Sequence, residues 1–206
     1  MIQDKIQNRE KYEWCNIWWE EANNQALPRV LLIGDSITMG CRPLVQKHLM
    51  DKAYVDQFAT SRAINDPAFK QELLHMICEY PYHMVHFNNG LHGWHVCEGE
   101  YLLALEQITA LIHEKQPDTV LMLATTTPVT ERGSPAQMNV KKDLVITRRN
   151  KIIKDFAEKH NLIVNDLYKL IIGNSEVRSE DGSHYKSEGL SILAGQTAAL
   201  ICKYLD

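Results

Sequence analysis

Two short segments near opposite ends of the sequence carry residues that could form a hydrolytic site. In the first, Ser36 follows Gly34 and Asp35, directly after an apolar run that ends at Ile33. A serine on a tight turn that enters a helix lies near the positive end of the helix dipole and can attack an acyl carbon. Taken alone, the tripeptide is more often explained by a serine that caps a helix. An α/β-hydrolase elbow is disfavoured, because it would need a glycine where this sequence has Thr38.

The second segment places an acid and an imidazole three residues apart. Asp181 and His184 stand just before the last helical pattern of the chain. At this spacing the carboxylate can accept a hydrogen bond from the near ring nitrogen, which leaves the far nitrogen free to take a serine proton. Asp-x-x-His alone is common and also fits a solvated loop before a helix.

The elements that would position these residues alternate between short apolar runs and longer helical patterns. This alternation predicts βα units around a parallel sheet that is covered by helices on both faces. The predicted strands are 30–33, 54–58, 84–87, 119–124 and 162–164, and the predicted helices are 43–50, 67–79, 98–115, 147–160 and 187–204. We therefore expect one domain over residues 1–206, a three-layer α/β/α, flavodoxin-like sandwich with a five-stranded parallel sheet. Ligands of such sheets bind beyond the carboxyl ends of the strands, where Ser36 lies.

The residues ahead of the first predicted strand are rich in aromatic side chains. Tyr12, Cys15, Trp18, Trp19 and Ala22 recur at helical spacing. This pattern predicts an N-terminal helix that packs on the core rather than an aromatic ligand site.

Composition and charge exclude several other classes of protein. The chain has 206 residues, with 22 Lys and Arg against 26 Asp and Glu, a formal net charge of -4 and no basic block for nucleic acid. The first ten residues are polar and charged, and no apolar run is long enough to cross a bilayer, so we expect a cytoplasmic protein without a membrane partner. Neither Cys and His spacing nor a glycine-rich motif indicates a metal or nucleotide cofactor.

Together the two segments resemble the SGNH hydrolases, also called the GDSL-like lipase and esterase family. Gly34-Asp35-Ser36-Ile37 is similar to the first motif of that family, and Asp181 to His184 is similar to the last. The resemblance covers the chain from Arg29 to the C-terminal helix. It implies Ser36 as the nucleophile, with Asp181 and His184 completing a catalytic triad.

The middle motifs depart from the common family pattern. The resemblance places one oxyanion-hole donor after the second strand, where the family has a glycine and this chain has Ser61, which can still donate its backbone N–H. After the third strand the family usually has Gly-x-Asn-Asp, whereas this chain reads Asn88-Asn89-Gly90-Leu91-His92. Some members resemble this chain in carrying Gly-Leu-His here. We rank His92 first and Asn89 second as the side-chain donor of the oxyanion hole, beside the N–H of Ser36.

These features predict a serine esterase that needs no cofactor and acts on a small-molecule acyl ester. A small acyl group, with acetyl on a carbohydrate favoured, fits the absence of a long apolar lid in the sequence. The alternatives are a lipid ester or thioester hydrolase, and a weak or inactive domain that binds such a ligand. The sequence does not indicate an oligomeric state.

Overall fold

The computed structural model of the protein describes residues 9–205, which fold around a central sheet. The strands are β1 (Cys15–Trp18), β2 (Arg29–Gly34), β3 (Tyr54–Thr60), β4 (Met84–Phe87), β5 (Val120–Ala124), β6 (Thr130–Glu131), β7 (Ser134–Met138) and β8 (Ile163–Asn165). The helices are α1 (Ser36–His48), α2 (Pro67–Ile77), α3 (Glu98–Lys115), α4 (Val140–His160), α5 (Leu167–Ile171) and α6 (Ser187–Cys202).

The main sheet has six strands in the order β1-β3-β2-β4-β5-β8. The five strands from β3 to β8 are parallel, as predicted, and β1 adds an antiparallel edge strand beside β3. The order of the parallel strands reverses direction beside β2, so α1 and α2 lie on opposite faces of the sheet. The carboxyl end of β2, where Ser36 follows, is therefore the position at which such folds bind ligands.

Alternating residues of the buried strands form two separate hydrophobic cores. On one face, residues such as Leu31 and Phe87 pack against α2, α3 and the C-terminal half of α4. On the other face, residues such as Leu32 and Met122 pack against α1, α5 and α6. The predicted three-layer α/β/α arrangement is confirmed.

The N-terminal helix predicted from Tyr12 to Ala22 is wrong, because this segment contains strand β1. Ile17 in the strand and Trp19 directly after it pack against the core, whereas Trp18 between them is half exposed. Aromatic and β-branched residues with a period of two favour an edge strand. The helical spacing of the same aromatic residues was therefore coincidental, and the sheet has six strands rather than five.

Two helices begin earlier than predicted because their caps were not recognised in the sequence. Helix α1 begins at Ser36 rather than at Pro43, since the Asp35 side chain caps it. Helix α4 begins at Val140, capped by the Asn139 side chain, which accepts from the N–H of Lys142.

A small β-hairpin, formed by β6 and β7, was not predicted. It lies between β5 and α4 and docks on the segment before α6. The N–H of Thr130 donates to the carbonyl of Gly182 at 2.8 Å, and the N–H of Gly133 donates to the carbonyl of Glu180 at 2.7 Å. The hairpin thereby braces the turn that contains Asp181. Among residues 9–205, every helix is too short or too polar to cross a bilayer.

Candidate active site

The fold brings Ser36, His184 and Asp181 into one hydrogen-bonded chain. Ser36 Oγ lies 2.7 Å from His184 Nε2, although the residues are 148 positions apart. His184 Nδ1 lies 2.8 Å from Asp181 Oδ2. A serine, an imidazole and a carboxylate linked in this order can pass a proton from the hydroxyl to the ring.

Ser36 is held at the first turn of α1 by the residues on either side of it. Asp35 is buried, and its carboxylate accepts from the N–H of Ile37 at 2.8 Å. Burial raises the pKa of the Asp35 carboxyl, and the hydrogen bond from Ile37 opposes that effect. Gly34 packs so tightly that a Cβ would overlap the Thr38 side chain. The Gly-Asp-Ser sequence therefore allows close packing, provides a cap and directs the hydroxyl out of the helix.

The turn from Asp181 to His184 orients its own carboxylate. Asp181 Oδ1 accepts from the N–H groups of Ser183 and His184, both at 2.8 Å, which leaves Oδ2 for the imidazole. Burial raises the pKa of the Asp181 carboxyl, but the hydrogen bonds from His184 and Ser183 outweigh it, so the pKa lies below its usual value. Asp181 is thus ionised at neutral pH and can stabilise a protonated ring.

These three residues lie at the surface rather than in an enclosed cavity. The side chains of His184 and Asp181 are 47% and 42% exposed. A separate cavity bordered by Asp35 and Ile37, the neighbours of Ser36, holds about 20 Å³. That volume accommodates about one water molecule and no acyl chain.

The backbone donor expected at Ser61 is already occupied. The N–H of Ser61 donates to the carbonyl of Trp14 at 3.1 Å. The Ser61 hydroxyl accepts from the N–H of Trp14 at 2.8 Å and donates to Glu13 at 2.7 Å. The segment that precedes β1 thus takes up the hydrogen-bonding groups of Ser61, which could not be foreseen when this segment was expected to be a helix. In this arrangement the N–H of Ser61 is not free to bind an oxyanion.

The two side-chain candidates for the oxyanion hole have different surroundings. His92 Nδ1 lies 2.9 Å from Glu10 Oε1, and its Nε2 has no hydrogen-bond partner among residues 9–205. Asn89 is buried, and its Nδ2 donates to the carbonyl of Arg62 at 2.9 Å. His92 therefore has a ring nitrogen available for a ligand, whereas the Asn89 amide already supports the loop after β3.

Arg149 and Asn150 of α4 support the site in a way that was not predicted from the sequence. The neighbouring Arg148 is exposed, whereas Arg149 and Asn150 are buried. Asn150 pairs with the backbone of Thr126 after β5, accepting from its N–H at 2.7 Å and donating to its carbonyl at 2.8 Å. The useful signal was the spacing of these two residues from the buried Ile146, which places them on the same helix face.

No cluster of His, Cys, Asp or Glu suited to a metal ion occurs among the residues that the structure describes.

No protein-family model and no curated protein matches the sequence.

The fold of the chain is similar to that of solved structures of esterases and acylhydrolases. A carbohydrate acetylesterase family member from Sinorhizobium meliloti superposes with a TM-score of 0.70 over 86% of this chain and 99% of its own, at 16% identity. An aryl esterase from M. smegmatis superposes with a TM-score of 0.71 over 86% of this chain and 99% of its own, at 14% sequence identity. A lipase/acylhydrolase from Enterococcus faecalis superposes with a TM-score of 0.66 over 84% of this chain and 95% of its own, at 20% sequence identity.

The chain has the fold of the GDSL-like esterases and lipases. A putative GDSL-like lipase from Parabacteroides merdae gives a TM-score of 0.64 at 16% identity, over 84% of this chain and 96% of its own. The fold that the sequence resemblance implied is confirmed. Identities this low bear on the fold alone.

Proposed function

We propose that the protein is a serine ester hydrolase that acts through an acyl-enzyme at Ser36. The single observation that carries this proposal is the hydrogen-bonded series Ser36 Oγ, His184 Nε2, His184 Nδ1 and Asp181 Oδ2, with separations of 2.7 and 2.8 Å. These distances lie within hydrogen-bond reach, as a nucleophile and its general base require.

In the first half of the reaction, His184 Nε2 takes the proton of Ser36 as Oγ attacks the ester carbonyl carbon. The carbonyl π-bond opens to an oxyanion, and the ring, now protonated, is stabilised by the Asp181 carboxylate. The intermediate then collapses, the bond to the alcohol oxygen breaks, and His184 returns the proton to the leaving alcohol. In the second half a water molecule loses a proton to His184 as its oxygen attacks the acyl carbon. The bond from that carbon to Ser36 Oγ then breaks, His184 returns the proton to Oγ, and the acid leaves.

The oxyanion would be stabilised by the N–H of Ser36 and by one side chain of the loop after β4. Ser36 begins α1, so its N–H belongs to the first turn, where helix N–H groups have no helical partner. His92 is the preferred side-chain donor in the form that carries both ring protons, because the Glu10 carboxylate takes the Nδ1 proton and only a second proton makes Nε2 a donor; Nε2 is unpaired among the described residues. Asn89 remains the second candidate, since an amide nitrogen carries two protons and only one is used by the Arg62 carbonyl.

The substrate we favour is a small acyl ester, with acetyl on a carbohydrate as the specific candidate. Two observations support it: the cavity that Asp35 and Ile37 border, of about 20 Å³, is too small to hold a long acyl chain, and an acetylesterase shares the fold. An open site also suits an acyl group attached to a large alcohol. Lipid esters and thioesters are the competing substrates.

A fluorophosphonate probe tests the nucleophile. We expect the probe to label the wild-type protein and the Ser191→Ala control, whose serine is an exposed residue of α6, but not Ser36→Ala. Equal labelling of Ser36→Ala and the wild type would reject Ser36 as the nucleophile. Turnover of a chromogenic acetate ester should disappear in the same variant. A folded wild type with neither labelling nor turnover would indicate a binding domain instead.

The acyl preference requires a separate experiment. We expect kcat/KM to fall from acetate through octanoate to palmitate esters of one chromogenic alcohol, and acetylated monosaccharides to release acetate. Activity confined to the long-chain esters or to thioesters would overturn the acetyl assignment without affecting that of the nucleophile.

A further inference from the structure

The guanidinium of Arg149 makes a concentrated set of contacts with one loop. Arg149 lies in α4 with 2% of its surface exposed. Its two terminal nitrogens donate to four backbone carbonyls, those of Gly90 at 3.0 Å, His92 at 2.9 Å, Gly93 at 2.6 Å and Val96 at 3.2 Å. All four acceptors belong to loop 90–96, which follows β4 and carries His92.

Burying the Arg149 guanidinium costs hydration free energy, which a residue that only fills space would not have to lose. Arg149 has no carboxylate partner within 4.0 Å among residues 9–205, so its charge is balanced by carbonyl dipoles alone. Burial lowers the pKa of the guanidinium, which reflects the loss of hydration. An apolar side chain of similar volume would usually stabilise a core at least as well. The planar fork of an arginine, by contrast, can fix several acceptors in one geometry.

Two aromatic rings also pack near the Arg149 guanidinium. The guanidinium carbon lies 5.1 Å from the ring centre of Tyr101 and 6.0 Å from that of Trp94. The Tyr101 hydroxyl donates to the carbonyl of Asn89 at 2.7 Å. Loop 90–96 and the residue just before it are therefore held from the same side by α3 and α4.

We propose that Arg149 is a positioning residue for the oxyanion hole, acting through the backbone of the loop that carries His92. The inference rests on the proposed esterase function and deepens it. The hydrogen bond from Arg149 to the carbonyl of His92 itself fixes the point from which the imidazole projects. An oxyanion donor must be in place before charge develops, so a loosened loop weakens binding of the transition state more than binding of the ester.

The test compares Arg149→Lys with the control Arg148→Ala. A lysine keeps the charge but presents a single ammonium, which cannot reach four carbonyls in the arginine geometry. We expect kcat on a chromogenic acetate ester to fall about 10²-fold in Arg149→Lys, with KM within about threefold of wild type. Arg148→Ala loses only an exposed ion pair with Glu98 and should keep both constants. A folded Arg149→Lys variant with wild-type kcat would overturn the proposal.

A milder variant covers the case in which Arg149→Lys does not fold. Tyr101→Phe removes only the hydroxyl that binds the Asn89 carbonyl, and we expect kcat to fall about fivefold at unchanged KM. If Arg149→Lys is unfolded and Tyr101→Phe keeps the wild-type kcat, the positioning role is rejected. Failure of the proposed function appears differently, as a wild-type protein that lacks turnover and labelling at Ser36.

Discussion

Asp181 contributes to the proposed reaction through two sets of hydrogen bonds with different consequences. One oxygen accepts from the backbone of Ser183 and His184, and the other accepts from the imidazole. An asparagine here would keep its oxygen on the two N–H groups and turn its NH₂ group toward His184 Nδ1. The ring would then be held with its proton on Nε2, the wrong tautomer for a base.

We therefore expect Asp181→Asn to lower kcat/KM roughly 10³-fold with little loss of stability. The fall should persist across the pH range, because the low pKa of Asp181 keeps the wild-type carboxylate ionised well below neutrality. Steady-state kinetics at several pH values, with thermal unfolding as the stability measurement, would check both statements. Activity within threefold of wild type would argue that Asp181 does not orient the ring.

The choice between His92 and Asn89 is also decided by single side chains. We expect His92→Ala to lower kcat about 10²-fold, the usual cost of one oxyanion donor, with an unchanged melting temperature. Asn89→Ala should instead lower the melting temperature, because it removes the hydrogen bond that the buried Asn89 side chain donates to the Arg62 carbonyl. His95→Ala is the matched control, since His95 is an exposed imidazole in the same loop. A larger fall in kcat for Asn89→Ala than for His92→Ala would reverse our ranking.

The residues brought together in the site differ in how far the sequence could predict them. Ser36, Asp181 and His184 were predicted because each short motif contains its own local geometry, a capped helix start and a single turn. The contacts of Ser61 and Arg149 could not be predicted, because they are made with distant segments of the chain. Ser61 is bonded by the strand segment at Trp14, and Arg149 reaches a loop more than fifty residues away.

At the level of elements, the hairpin and the Asp181 turn depend on each other. Gly182 has φ +84, a conformation that favours glycine, and a Cβ there would press against the Thr130 carbonyl of the hairpin. The same residue accepts a hydrogen bond from Thr130 through its own carbonyl. Any side chain at position 182 therefore has to move either the hairpin or the turn between Asp181 and His184.

We expect Gly182→Ala to destabilise the protein by about 1–3 kcal/mol and to lower kcat more than tenfold, since the turn orients the base. Gly195→Ala is the matched control, because Gly195 lies in α6 with open space around it. Alanine should raise stability there by up to about 1 kcal/mol and leave turnover unchanged. Unfolding in urea and steady-state kinetics would measure both effects. Wild-type turnover in Gly182→Ala would show that the hairpin does not constrain the site.

At the scale of the whole sheet, the five parallel strands were predictable, including the edge strand β8, whereas the antiparallel edge strand β1 was not. Short apolar runs such as Val30 to Ile33, each followed by a turn and a helical pattern, favour strands, and all five were confirmed. Strand β1 is amphipathic and short, so its periodicity fitted a helix equally well. Its position depends on tertiary contacts, including those of the buried Arg29, which donates to Asp56 and to the carbonyls of Glu20 and Glu21.

The interior of the sheet contains an imidazole that makes the stability of the whole molecule depend on pH. His86 is buried in β4, where its Nε2 lies 3.1 Å from Asn165 Nδ2. Burial lowers the pKa of His86 from 6.5 to about 4. Between these two values the unfolded chain binds a proton that the folded protein does not, so stability decreases as the pH falls through this range.

We expect this single group to remove about 2 kcal/mol of unfolding free energy between pH 7 and pH 4.5. His86→Gln cannot titrate, so its stability should fall by that much less than the wild type over the same interval. Comparing the two proteins is essential, because burial raises the pKa of nearby Asp35, which contributes a pH dependence of opposite sign to both. Urea denaturation of each protein at the two pH values gives the difference. Equal losses in the two proteins would mean that His86 is already charged in the folded state.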